Sequence, residues 1–159
     1  MEENQLKDQL LETWRIHCRI NSYILDAISS EAFKSSPPVK GRSFVQMFAH
    51  VHNTRLMWLQ SATPELLKEL TKIEKNDTIS QALLRKSLGA SAQAIETLLQ
   101  KAFASGGKVK GFKPHAPAFL GYLISHEAYH HGEIGTELAR IGYPLDKKTA
   151  YGMWEWGVR

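Results

Sequence analysis

Residues 117–141 read PAFLGYLISHEAYHHGEIGTELARI, and this stretch decides the fold that the sequence predicts. Apolar side chains return every three or four residues, which is the spacing of an amphipathic helix. They are Phe119, Leu120, Leu123, Ile124, Ile134, Leu138 and Ile141. Gly142 follows as a C-cap residue, and Pro144 prevents the helix from continuing. The pattern predicts a helix of about seven turns with one face in a core.

The first 60 residues predict two more long helices. Residues 6–29 carry an inward seam in which two of six positions are polar. The seam consists of Leu10, Trp14, His17, Asn21, Ile24 and Ile28. Prolines within residues 35–38 must end this helix, because proline lacks the amide donor. The next helix begins at Ser43, where Gln46 completes a capping box, and it runs to about Gln60.

The middle of the chain predicts one short helix and one long helix. Residues 63–74 open with Thr-Pro-Glu, which is typical of a cap followed by a first-turn proline and acid. Thr78 and Gln81 form a capping box for the long helix, which ends before two glycines at 106–107. Its seam is Leu84, Leu88, Ser91, Ile95, Leu98 and Ala102. Residues 105–117 predict a surface crossing, since glycines and prolines interrupt them.

Four long amphipathic helices predict an all-α protein, a four-helix bundle with a short extra helix and an aromatic C-terminal tail. No segment shows the period-two alternation of strands. The length fits one domain over residues 1–159. We expect the tail, residues 151–156, to fold back onto the bundle, because exposing Trp154 and Trp156 forfeits about 2 kcal/mol of burial each.

Composition excludes several classes of protein. The 159 residues are 43% hydrophobic and 23% charged, as in a globular domain. No run approaches the ~18 apolar residues of a membrane span, and the N-terminus is polar, so we expect no membrane partner and a cytoplasmic location. A single cysteine, Cys18, closes no intramolecular disulfide and is most simply a small buried hydrophobe. The net charge of +4 is scattered, which argues against nucleic acid as a partner.

The strongest chemical signal is a histidine pair inside residues 125–133. His126 and His130 are four residues apart, so both imidazoles lie on one helix face within reach of one metal ion. Glu133 continues the same stripe as a candidate catalytic base or an ordinary exposed glutamate. His50, on or beside the apolar face of the second long helix, is a third candidate ligand. Ordinary core or surface histidines, and a metal-free polar pocket, are the alternatives.

Further polar residues occupy seam positions. His17 and Asn21 stand where hydrocarbon is normal, and we expect them to line a pocket near the metal, with His17 more simply a hydrogen-bonded core histidine. His52 falls about 200° around the helix from His50 and should face outward. We treat His115 and His131 as surface residues.

These residues together resemble the DinB-like superfamily of metal-binding four-helix bundles. The resembling motifs are the Asn21–Leu25 segment of the first helix, Phe48-Ala49-His50-Val51 of the second and His126 through Pro144 of the last. The resemblance spans nearly the whole chain and implies that His50, His126 and His130 are metal ligands. It departs from the family pattern at His131 and Ala139, where arginine is common. It also implies a homodimer.

Three imidazoles leave a divalent ion at least one open position, as in catalytic sites. The ion is zinc, nickel or iron, since imidazole suits all of them. Two chemistries follow: attack by an activated low-molecular-weight thiol on an electrophile, or hydrolysis of an ester or amide. The resembling superfamily includes both metal-dependent hydrolases and enzymes that use low-molecular-weight thiols. We favour thiol transfer on a small-molecule substrate, because the mild positive charge suits an anionic thiol. A non-catalytic bundle that merely binds metal is the alternative from another class.

Overall fold

The computed structural model describes residues 2–35 and 40–159. These residues form helices and no strands. The α-helices are α1 (Glu2–Ala27), α2 (Ser30–Phe33), α3 (Phe44–Ala62), α4 (Gln81–Ala104), α5 (Ala116–Arg140) and α6 (Lys147–Gly152). Single 3-10 turns cover Pro64–Leu67 and Trp156–Val158. The predicted break at Pro37 and Pro38 lies outside the described residues.

The four long helices pack as a bundle, which confirms the predicted fold class. α1 packs against α4 and α5, and α3 packs against the same two helices. The order around the bundle is therefore α1, α4, α3, α5. α1 and α3 thus lie diagonally opposite each other. This order makes α3 and α5 neighbours, which matters because the candidate histidines lie on those two helices.

The core has two apolar halves that the same four helices share. One half contains Ile24, Phe48, Leu84 and Ile134, and the other contains Trp14, Leu59, Ile95 and Phe119. Between them lies a layer of buried polar side chains. Its members are His17, Asn21, Arg55, Ser91, Glu127 and His131. Buried polar groups require partners, so this layer places specific demands on the pairing of the helices.

The helix ends match the sequence signals in part. The capping box of Ser43 and Gln46 is present. At the end of α5, Gly142 has a φ of +89°, and Tyr143 donates its amide to the carbonyl of Leu138, as in a Schellman motif. Two other predictions are wrong. The short helix predicted over residues 63–74 is a single 3-10 turn, Pro64–Leu67, after which the chain runs without helix.

The predicted start of α4 is also wrong by two residues. Ser80, rather than Thr78, is the N-cap, and its hydroxyl accepts from the Leu83 amide. The Gln81 side chain is unavailable for a capping box, because its amide donates to the carbonyls of Leu25 and Ile28 at the end of α1. A tertiary contact therefore displaces the local motif.

The C-terminal tail folds back, but its two tryptophans differ, and Trp156 is only 36% exposed. Trp154 is 74% exposed, which contradicts the predicted burial. The tail is held by Gly152, which is so close to Tyr23 that a Cβ there would lie 2.1 Å from the phenol oxygen. Arg159 donates to the Gly152 carbonyl and stacks on the Tyr23 ring, 3.8 Å from its centroid. The aromatic surface of the tail is thus left facing outward.

Among the described helices, none combines the length and the apolarity needed to cross a bilayer.

Candidate metal centre

The bundle brings His50, His126 and His130 together. His50 projects from α3, and the other two lie one turn apart on the neighbouring α5. Each offers a ring nitrogen such that the three nitrogens lie within 4.8 Å of one another. The Nε2 atoms of His126 and His130 are 3.1 Å apart. The two residues predicted from spacing and the third predicted from a separate helix therefore form one cluster.

The donor set fits a divalent transition metal ion. Two imidazole nitrogens bound to one ion at 2.0–2.1 Å are separated by about 2.9–3.4 Å, which brackets the distance between His126 and His130.

Glu133 contacts the cluster through His130. Its Oε1 atom lies 2.7 Å from Nδ1 of His130, one turn back along α5. When Nδ1 carries the proton and donates to this carboxylate, the Nε2 lone pair of His130 points towards His126. A carboxylate behind a ligating imidazole fixes the tautomer and raises the basicity of the ligand. This geometry fits an orienting role for Glu133.

The environment of His50 and His126 disfavours the charged forms of these two imidazoles. Burial, and next the positive charge of Arg42, lower the pKa of His50 to about 4. Burial and the neighbouring His130 also lower the pKa of His126. Neutral imidazoles are the metal-binding form. His50 and His126 are half-buried, and a cavity of about 440 Å³ opens beside His50, so the cluster is accessible to a small molecule.

His17 and Asn21 lie elsewhere, in the buried polar layer. The Glu127 carboxylate accepts from Nε2 of His17 at 2.7 Å and from the Asn21 amide at 2.9 Å. Arg55 donates two hydrogen bonds to the same carboxylate, at 2.6 and 2.8 Å. His17 and Asn21 therefore bind Glu127 and do not belong to the cluster of His50, His126 and His130. His17 is a hydrogen-bonded core histidine.

The contact with Arg55 keeps the Glu127 carboxylate of this layer ionised. Burial alone would raise the pKa of Glu127, but the charge and hydrogen bonds of Arg55, together with the hydrogen bond of His17, hold it well below its usual range. Arg55 is completely buried and also donates to the Leu88 carbonyl and the Ser91 hydroxyl on α4. One ion pair thus has partners on all four long helices.

Two histidines predicted to face solvent are buried. His131 is 8% exposed, and its Nε2 lies 2.5 Å from the Asn21 side-chain oxygen. Its burial, followed by the nearby imidazole of His17, lowers its pKa to about 3. His52 is 1% exposed, because the segment after the 3-10 turn crosses over α3 and places the Thr71 carbonyl 2.9 Å from Nε2. His115 is exposed as predicted, and its ring caps the first turn of α5.

Arg55 and Glu127 are not among the site residues that the sequence predicts. A signal was available, because both stand at helical spacing from buried apolar neighbours. Arg55 follows Val51 by four residues, and Glu127 follows Leu123 by four. A charge at such a position on two helices predicts a buried ion pair, although pairing them requires knowing that α3 and α5 are neighbours.

One of three comparisons with known proteins found a match to this chain. Neither the curated proteins nor the solved structures gave a match to this chain. The model of one protein family, described as the DinB family, matches residues 1–153 of the 159. Because that match covers nearly the whole bundle, including all three clustered histidines, the chain belongs to the DinB family.

Proposed function

We propose that this protein is a metal-dependent enzyme in which His50, His126 and His130 hold one divalent transition metal ion. The observation that carries the proposal is the placement of three imidazole nitrogens from two helices within 4.8 Å of one another. Zinc, nickel and iron all suit an imidazole set. The cavity beside His50 supports a catalytic role over a purely structural one, since a structural ion is enclosed by its ligands.

The proposed reaction is the transfer of a low-molecular-weight thiol to an electrophilic carbon of a small-molecule substrate. A bound divalent ion would lower the pKa of the thiol. The thiol proton passes to a carboxylate, the sulfur forms the new C–S bond, and the leaving group departs with the electrons of the bond that breaks. Glu133 is the proposed proton acceptor, because its side chain is 38% exposed and contacts His130. Its contact with His130 gives it the second role of holding that imidazole in place.

The test starts from metal content. Protein purified without a polyhistidine tag should contain about one ion per chain, and His50→Ala, His126→Ala or His130→Ala should each weaken metal affinity at least ~10-fold. His115→Asn is the matched control, because it removes an exposed imidazole and keeps a capping side chain. Equal losses in the control and the three variants would reject this ligand set.

Activity then separates the two chemistries. The metal-loaded protein should join a small thiol such as cysteine or glutathione to an epoxide or an activated aryl halide, and the metal-free protein should not. Glu133→Gln should lower turnover more than metal content. Ester hydrolysis without any thiol dependence would replace the transferase with a hydrolase. Absence of both activities, with an ion shown by X-ray absorption to be saturated by protein, would leave a non-catalytic metal-binding protein.

We also propose a homodimer in the cytoplasm. The support is the outward-facing tail, in which Tyr151, Trp154 and Val158 are all more than 60% exposed. Apolar surface of this kind is typical of contacts between chains.

A further inference from the structure

The cavity next to the histidine cluster has walls from three parts of the chain. Residues 41–42 precede α3, one face of α3 contributes His50 and Ala49, and the segment 72–79 closes the opposite side. Its volume of about 440 Å³ lies within the range of small-molecule sites. Any molecule in this cavity lies beside His50.

The far wall is held rigidly rather than left as a loose loop. The Asn53 side chain donates to the Ile73 carbonyl at 2.8 Å and accepts from the Ile73 amide at 3.0 Å. Ile73 itself is buried in the core. These two hydrogen bonds attach the backbone of Ile73 to α3. The neighbouring residues Lys72, Glu74 and Lys75 line the cavity.

The charges around the cavity are mostly positive. The cavity is lined by three cationic side chains and one carboxylate. The cations are Arg42, Lys72 and Lys75, and the carboxylate is Glu74, which pairs with Lys72 at 3.3 Å. Within residues 2–35 and 40–159, no carboxylate pairs with Arg42 or Lys75.

The rest of the cavity wall is partly apolar. Ile79, together with the small exposed edges of Ala49 and Ile73, supplies an apolar surface, whereas Gln46 and Asn53 already use side-chain oxygens in hydrogen bonds to the backbone. Two uncommitted cations next to apolar side chains suit a molecule with one anionic end and an apolar body.

We propose that this cavity binds the carboxylate or phosphate of a small organic anion through Arg42 and Lys75, with the remainder of the molecule on the Ile79 side chain and the exposed edges of Ala49 and Ile73 beside His50. This inference rests on the proposed function only for what happens to the bound molecule, because the anion site itself needs no metal. It narrows the substrate class to anionic small molecules. Arg42 and Lys75 are then substrate-binding residues outside the ligand set.

The experiment measures binding to metal-free protein, so that the anion cannot bind an ion directly. The probes are 4-fluorobenzoate, 4-fluorophenyl phosphate and the uncharged 4-fluorobenzamide, followed by ¹⁹F NMR. We expect at least one anion to bind more tightly than the amide and to lose affinity as sodium chloride is added. Arg42→Gln should weaken that binding about tenfold and Lys75→Gln about threefold. The tighter of the two anions identifies the headgroup.

Lys113→Gln is the matched control, since it makes the same charge change on an exposed residue of the surface crossing before α5. It should leave anion binding unchanged. Equal binding of the amide and both anions, or equal losses in Lys113→Gln and Arg42→Gln, would overturn the proposal. Intact anion binding in His50→Ala, His126→Ala and His130→Ala variants that also keep full metal affinity would support this site while rejecting the proposed metal ligands, so the two failures are distinguishable.

Discussion

Glu127 carries more of the bundle's polar interactions than any residue of the histidine cluster. Its carboxylate accepts hydrogen bonds from Arg55, His17 and Asn21, all of which are nearly inaccessible to solvent. A buried ion pair is weak evidence for stability by itself, since desolvation opposes the attraction. Removing one partner is different, because the remaining charge is then left in the core without compensation.

Glu127→Gln should therefore destabilise the protein strongly. The substitution preserves size and leaves the buried guanidinium of Arg55 without its counter-charge, which costs about 3–5 kcal/mol in the free energy of unfolding. Urea denaturation measures the change. Glu133→Gln is the control, because it makes the same replacement on the same helix at a half-exposed position and should cost less than about 1 kcal/mol. Similar costs for the two variants would show that the buried pair is not ionised.

Cys18 should be inert in the native protein. Burial raises the pKa of its thiol to about 12, whereas an unfolded cysteine ionises near 8.5. At pH 8.5 the native thiolate is about a thousandfold scarcer, so alkylation by iodoacetamide should be slower by a similar factor than in urea. Above pH 9 the native rate should keep rising with pH while the unfolded rate levels off. Equal rates at pH 8.5 would contradict the raised pKa.

The raised thiol pKa also has a consequence for stability. The unfolded thiol loses its proton at lower pH than the native one, so the contribution of Cys18 to stability is present below about pH 8.5 and declines as the pH rises towards 12. This alkaline loss should be absent in Cys18→Ala.

At the level of elements, α5 serves two sites on adjacent faces. His126 and His130 point to the gap with α3, and Glu127 and His131, each one residue further on, point into the polar layer. Successive residues on a helix are rotated by about 100°, so one stretch of six residues supplies both. The order α1, α4, α3, α5 is what gives each face its partner.

The start of α4 provides a direct test at this level. Ser80→Ala should cost about 1 kcal/mol of stability, because the hydroxyl accepts from the Leu83 amide at 3.1 Å. Thr78→Ala, two residues earlier, should change stability by less than half of that amount. Thermal melting of the two variants checks the assignment. A larger loss of stability in Thr78→Ala than in Ser80→Ala would contradict the Ser80 cap and support the capping box that the sequence alone predicts.

At the scale of the whole molecule, the C-terminal tail exposes an aromatic surface to solvent. The tail is attached through Gly152 and Arg159, so its large apolar side chains add little to the core of one chain. A second copy is the proposed partner for that surface.

Light scattering at micromolar concentration should give a mass twice the 18.0 kDa of one chain. Trp154→Ser should shift this mass towards the monomer, because it removes the most exposed aromatic side chain of the tail. Leu6→Ser, an exposed apolar position near the other terminus, should not. A wild-type protein that is only 18.0 kDa would contradict the dimer.

The sequence by itself determined the four long helices, because three-to-four-residue periodicity and terminal residues such as Ser43 and Gly142 act locally. It also predicted the histidine cluster, since spacing within α5 pairs His126 with His130, and the position of His50 on or beside the apolar face of α3 makes it a third candidate that the family resemblance supports. Only the tertiary structure decided which helices are neighbours. That neighbourhood separates His17 and Asn21 from the cluster, joins them to Glu127 and Arg55, and buries His52 and His131. The physical reason is that a helix sets the direction of a side chain, whereas its burial and hydrogen-bond partners come from other elements distant in the chain.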